Sequence, residues 1–125
     1  MDENGALVAI VDDEESIRRA LVRLFRLAHY RTQAFDSASK FLTSLAVRKP
    51  NCVVLDLQLP GITGVELLER FAELENPPPV VVITSNDEQR MEARCLALGT
   101  KRYLRKPIDC DALLDAVRDI VASPA

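Results

Sequence analysis

The sequence predicts an α/β domain, a five-stranded parallel sheet with helices on both faces, from three observations. The runs 6–11, 52–56 and 80–84 are apolar at almost every position, as strands buried on both faces are. Segments with apolar residues at helical spacing alternate with these runs. The chain has 125 residues, 48% apolar and 28% charged, which is the size and balance of one ordinary globular domain.

The elements follow in order. Run 6–11 is the first strand. A helix then opens between Asp12 and Ser16, with Ile17, Ala20, Leu21, Leu24, Phe25 and Ala28 on one face. Glu14–Arg18 and Glu15–Arg19 are expected as i,i+4 pairs, and Arg19, Arg23 and Arg26 form a basic outer stripe, read first as a solvated face and second as a docking surface. Residues 31–35 alternate like an edge strand. Asp36 or Ser37 caps a short helix carrying Phe41, Leu42 and Leu45, which Pro50 and Asn51 end. Run 52–56 is the third strand, and 57–64, with one proline and two glycines, is a loop. A helix over 65–74 presents Val65, Leu68 and Phe71, and the prolines at 77–79 stop it. Run 80–84 is the fourth strand. A polar-rich helix over 88–98 closes on Gly99, and 102–105 is a short fifth strand broken by Lys106 and Pro107. Asp109 or Asp111 starts a last helix with Leu113, Ala116, Val117 and Ile120. The expected unit is a single domain over 1–125, with its core at about 6–121 and 122–125 as a tail or the start of a linker.

Composition narrows the function. Sixteen Lys and Arg against nineteen Asp and Glu give a net charge of −3, which argues against direct nucleic-acid binding. No apolar run approaches the 18–20 residues of a membrane span, and residues 1–4 lack the positive charge of a signal peptide. Three cysteines without CxxC spacing read as reduced thiols and favour a cytoplasmic protein. The single histidine, His29, excludes two-histidine metal motifs.

In a parallel α/β sheet, chemistry gathers beyond the carboxyl ends of the strands. Those ends carry Asp12 and Asp13, Asp56, Thr84 and Lys106. Singly, each has an ordinary reading: a helix cap, a strand-to-loop acid, a β-branched strand residue, a surface lysine. Together they make a phosphoryl site. Two carboxylates about 4 Å apart repel by about 4 kcal/mol at an effective dielectric near 20, so a proton, Lys106 or a divalent cation must compensate. Hard oxygen donors in small number favour Mg²⁺, with Mn²⁺ as the alternative ion.

The sequence resembles the receiver domain of bacterial two-component response regulators. The resemblance rests on Val11-Asp12-Asp13-Glu14, on Asp56-Leu57-Gln58-Leu59-Pro60-Gly61-Ile62-Thr63-Gly64, on Ile83-Thr84-Ser85 and on Tyr103-Leu104-Arg105-Lys106-Pro107. The segment 35–42 and the turn at 59–61 are most similar to FixJ-type regulators. The resemblance implies a flavodoxin-like sheet in the order 2-1-3-4-5. It implies Asp56 as phosphoacceptor, with Asp12, Asp13, Asp56 and the Gln58 backbone carbonyl as metal ligands. It implies Lys106 as the group holding a phosphoryl oxygen, Thr84 as the switch hydroxyl and Tyr103 as the switch aromatic. It also implies a cis Lys106–Pro107 bond and a switching face made of helix four, strand five and helix five. The implied partners are a sensor histidine kinase and, in FixJ-type relatives, a C-terminal helix-turn-helix DNA-binding domain and a phosphorylation-dependent homodimer. Such a domain is a phosphorelay signalling module in transcription regulation, not an enzyme beyond its own phosphotransfer and dephosphorylation. The alternative is a pseudo-receiver, a binding module independent of phosphorylation. A flavin site is disfavoured because the acids at 12–15 would repel phosphate, and a phosphohydrolase because Gln58 stands where a second acid is needed.

Overall fold

The computed structural model describes residues 5–85 and 89–122. The expected helix start at Glu88, and residues 1–4 and 123–125, lie outside them. Strands and helices alternate strictly: β1 (Leu7–Val11), α1 (Glu15–Leu27), β2 (Arg31–Phe35), α2 (Ala38–Leu45), β3 (Cys52–Asp56), α3 (Gly64–Ala72), β4 (Val80–Thr84), α4 (Gln89–Ala97), β5 (Arg102–Arg105) and α5 (Cys110–Ala122). The strands form one parallel sheet in the order β2-β1-β3-β4-β5.

The pleat explains the unbroken apolar runs. Successive residues point to opposite faces, so a strand covered on both sides must be apolar throughout. Val8, Ile10, Cys52, Val54, Val81 and Ile83 pack with Leu21 and Phe25 of α1 and Leu113 and Val117 of α5. Ala9, Val11, Val53, Leu55, Val80 and Val82 pack with Phe41, Leu67, Leu68, Phe71 and Cys95 of α2, α3 and α4. The edge strands β2 and β5 contain no fully buried residue, as their mixed composition requires.

Local signals settle the open boundaries. Ser37 caps α2, accepting from the Lys40 N–H at 3.2 Å, while Asp36 pairs with Lys40 at 3.0 Å. Asp109 caps α5 by accepting from the Ala112 N–H at 3.1 Å. α3 begins at Gly64 rather than Val65, because Thr63 and Glu66 form a reciprocal capping box. It ends at Ala72, two residues short of the expected 74. Gly99 closes α4 at φ 106°, as expected of a C′ glycine. His29 takes the same role after α1 at φ 74°, where a left-handed non-glycine residue was not foreseen. The Glu15–Arg19 pair forms at 2.8 Å. The expected Glu14–Arg18 pair does not: the Arg18 guanidinium instead donates to the Asp12 carbonyl at 2.9 Å.

Candidate functional site at the carboxyl edge of the sheet

The parallel register brings the polar strand ends together. β1 and β3 are neighbours, so Asp12, just after Val11, and Asp56, the last residue of β3, lie side by side. The Lys106 N–H donates to the Thr84 carbonyl at 2.8 Å, which fixes the residue after β5 against the end of β4. Lys106–Pro107 is cis.

Asp12, Asp13 and Asp56 each offer a carboxylate oxygen, and these oxygens lie within 4.8 Å of one another. Asp12 and Asp56 are buried and Asp13 is exposed. The Lys106 ammonium stands 3.4 Å from Asp12 Oδ2 and 3.5 Å from Asp56 Oδ2. The other oxygens are held by their own loops. Asp12 Oδ1 accepts from the Glu14 N–H at 2.9 Å, and Asp56 Oδ1 from the Gln58 N–H at 3.1 Å. The two buried carboxylates are thus fixed in orientation, each with one oxygen turned towards Lys106.

Charge in this site is under-compensated. Three carboxylates against one ammonium leave −2 when all are ionised. Burial pushes the Asp56 carboxyl up to about 6; the Gln58 N–H and Lys106 oppose the rise and the Asp12 charge adds to it. For Lys106 burial alone would favour the neutral amine, but the Asp56 and Asp12 charges outweigh it and raise its pKa. A hard divalent cation matches both the oxygen donors and the −2, so the residues present fit Mg²⁺.

Thr84 is fully buried at the end of β4, and Ser85 after it is exposed. Tyr103 pairs in register with Val82, lower in the sheet than the acids, and packs against the α2–α3–α4 side of the core. The Arg105 guanidinium lies 5.9 Å from the Tyr103 ring centre and pairs with Glu92 of α4 at 3.2 Å. The structure therefore brings Asp12, Asp13, Asp56 and Lys106 together, sets Thr84 on the adjoining strand end and leaves Tyr103 outside the acid cluster. Sequence reasoning missed two contacts here. One is the Arg18 bond to the Asp12 carbonyl. The other joins the Ser85 hydroxyl to Gln58 Oε1 at 2.8 Å. Both residues are polar and partly or fully exposed, and no periodicity marks them. Cys52 and Cys95 are buried, and burial pushes Cys52 up to about 12, while Cys110 is exposed at the start of α5.

Residues 8–118 match the family model for the response regulator receiver domain. The chain belongs to that family. It is 37% identical over 112 residues to nodulation protein W of Bradyrhizobium diazoefficiens, an alignment spanning 90% of this chain and 49% of that protein. It is 30% identical over 120 residues to the transcriptional regulatory protein FixJ of the same organism, spanning 94% of this chain and 58% of FixJ. A solved FixJ-N structure superposes with a TM-score of 0.86 at 27% identity, covering 96% of both chains. The chain thus spans about half the length of these two curated relatives. The family, the sheet order and the likeness to FixJ expected from the sequence are all borne out. As a receiver domain the chain is a signalling module of two-component systems, and no described helix is long and apolar enough to cross a membrane.

Proposed function

We propose that residues 6–121 form the core of one receiver unit that takes a phosphoryl group on Asp56 from a sensor histidine kinase. The observation that carries this reading is the convergence of three carboxylates and Lys106 at one sheet edge. An Asp56 carboxylate oxygen forms the new bond to phosphorus. The bond from phosphorus to the donor imidazole nitrogen breaks, and its electron pair stays on that nitrogen, which takes a proton. Lys106 holds a phosphoryl oxygen by a charge-assisted hydrogen bond. Asp12, Asp13, Asp56 and the Gln58 carbonyl would hold Mg²⁺ or Mn²⁺, which supplies charge neutralisation at the transferring group.

The phosphorylated state biases a two-state face made of α4, β5 and α5. Hydrogen bonds to charged groups contribute about 1.5–3 kcal/mol each, so two formed only in that state, from Thr84 and Lys106, total about 3–6 kcal/mol. Inverting a 1:99 population takes about 5.5 kcal/mol, so a gain of this size biases the face and inverts it fully only at the upper end, less what Lys106 gives up in its contacts to Asp12 and Asp56. Tyr103 follows Thr84. The module is cytoplasmic, turns over no external substrate, and acts through a helix-turn-helix DNA-binding domain or a homodimer contact. With phosphoramidate and Mg²⁺ the protein gains the mass of one phosphoryl group, and Asp56→Asn abolishes the gain. Labelling that survives in Asp56→Asn refutes the assignment. No labelling of the wild-type protein leaves the pseudo-receiver reading.

A further inference from the structure

Arg18 stands near the start of α1, where the helix dipole favours acids over cations. Helical side chains lean towards the N-terminus, so from this position the guanidinium reaches back over the end of β1. It is half-buried, and its Nη1 donates to the Asp12 carbonyl at 2.9 Å. That carbonyl belongs to the peptide that joins Asp12 to Asp13. The next peptide is held as well, since the Glu14 N–H donates to Asp12 Oδ1 at 2.9 Å. Asp13 is therefore clamped on both sides through its backbone. Its own carboxylate is exposed, and among the described residues no hydrogen bond or ion pair holds it. Even so, one of its oxygens lies within 4.8 Å of oxygens of Asp12 and Asp56.

We propose that Arg18 is a positioning residue of the metal site: by fixing the Asp12–Asp13 peptide it keeps the Asp13 carboxylate converged on Asp12 and Asp56. This rests on the reading of the edge as a Mg²⁺ or Mn²⁺ site and deepens it. A fixed peptide plane sets ψ of Asp12 and φ of Asp13, and with them the direction of the Asp13 Cα–Cβ bond. Like charges drift apart when their backbone allows it, and of the three acids Asp13 is the one its own side chain does not anchor. Arg18 thus holds the turn in the metal-ready form before an ion arrives, so the ordering cost is met on folding rather than on binding. The charge of the guanidinium works in the opposite direction, because a cation this near repels a divalent ion. Positioning and charge therefore predict changes of opposite sign when Arg18 is replaced.

The test titrates the protein with Mn²⁺ near neutral pH and reads the free ion by electron paramagnetic resonance. Arg18→Met keeps the aliphatic stem and removes the donor and the charge. It is expected to raise the Mn²⁺ dissociation constant about threefold to tenfold, the range of one hydrogen bond, whereas loss of charge alone lowers it. Arg19→Met removes the same charge one residue on, from an exposed side chain paired with Glu15 at 2.8 Å, and is expected to stay within about twofold of wild type. In Asp13→Asn, which already lacks the carboxylate that Arg18 positions, adding Arg18→Met is expected to change the constant by less than about twofold. A constant unchanged or lowered in Arg18→Met, an equal rise in Arg19→Met, or effects that multiply with Asp13→Asn overturns the positioning role alone. A urea midpoint that falls in Arg18→Met while the constant holds does the same, since it marks an arginine that serves only stability. A wild-type protein that takes up no Mn²⁺ overturns the metal reading of the edge and the role of Arg18 with it.

Discussion

Gly64 shows how one residue can govern the geometry around Asp56 from eight positions away. A Cβ at this position would lie 2.6 Å from the Leu57 Cα and 2.9 Å from the Asp56 carbonyl oxygen. Both atoms are backbone, so the clash cannot be relieved by turning a side chain, and the loop after β3 must shift. That loop carries the Gln58 N–H that orients Asp56. Gly64→Ala is therefore expected to cost about 1–3 kcal/mol of stability and to slow phosphoryl incorporation, measured by urea melts and by mass with a small phosphodonor. Wild-type values for both would show that the helix–loop junction has slack. The sequence marked Gly64 only as a turn residue, since close approach of two backbones leaves no trace in spacing. Asp12, Asp56, Thr84 and Lys106 were legible because each follows directly from where a strand stops.

Among the helices, α4 is the least anchored. Of its nine described residues only Cys95 is buried, with Met91 packed partly against the core. Its lateral ties are ion pairs: Arg94 with Glu69 of α3, and Glu92 with Arg105 of β5 at 3.2 Å. Exposed pairs contribute about 0.2–1 kcal/mol each and weaken as salt shortens the Debye length to about 3 Å at 1 M. Amide exchange in α4 is expected to be faster than in α1, and raising NaCl from about 0.05 to about 1 M to speed it about twofold to fivefold while α1 is unaffected. Equal protection of the two helices would remove the basis for treating α4 as the movable element. The weak apolar stripe that marks this helix was visible in the sequence. The ion pairs were not, because they join residues far apart in the chain and only the folded register makes them neighbours. The same holds for Arg18, whose i−4 partner on paper is Glu14 but whose bond goes to the Asp12 carbonyl. The buried strands show the opposite case: double-sided burial dictates composition residue by residue, so β1, β3 and β4 were placed within one residue.

At the scale of the whole molecule, the sheet edge concentrates charge that the rest of the fold must tolerate. Burial holds the Asp56 carboxyl at about 6, above its ordinary 3.8, so the folded protein binds a proton there more tightly than the unfolded chain does. Its contribution to stability is then fully present below pH 3.8 and is lost as pH rises through about 6. Without divalent cation, the melting temperature is expected to fall between pH 5 and pH 7.5 as this carboxylate ionises beside Asp12 and Asp13. On the proposed ligand set, Mg²⁺ reverses that loss by occupying the position the carboxylates crowd. At ten times its dissociation constant a ligand adds about 1.4 kcal/mol, which shifts the melting temperature of a domain this size by about 3–8 °C. The gain shrinks at pH 5, where the proton competes with the ion. Asp56→Asn removes one charge from the cluster, so its metal-free melting temperature at pH 7.5 rises above wild type while its response to Mg²⁺ is lost. Differential scanning fluorimetry across pH, with and without Mg²⁺, reads all of these together. A wild-type melting temperature indifferent to Mg²⁺ at pH 7.5 would mean that Lys106 alone balances the three carboxylates, and the metal-dependent reading of the edge would fall.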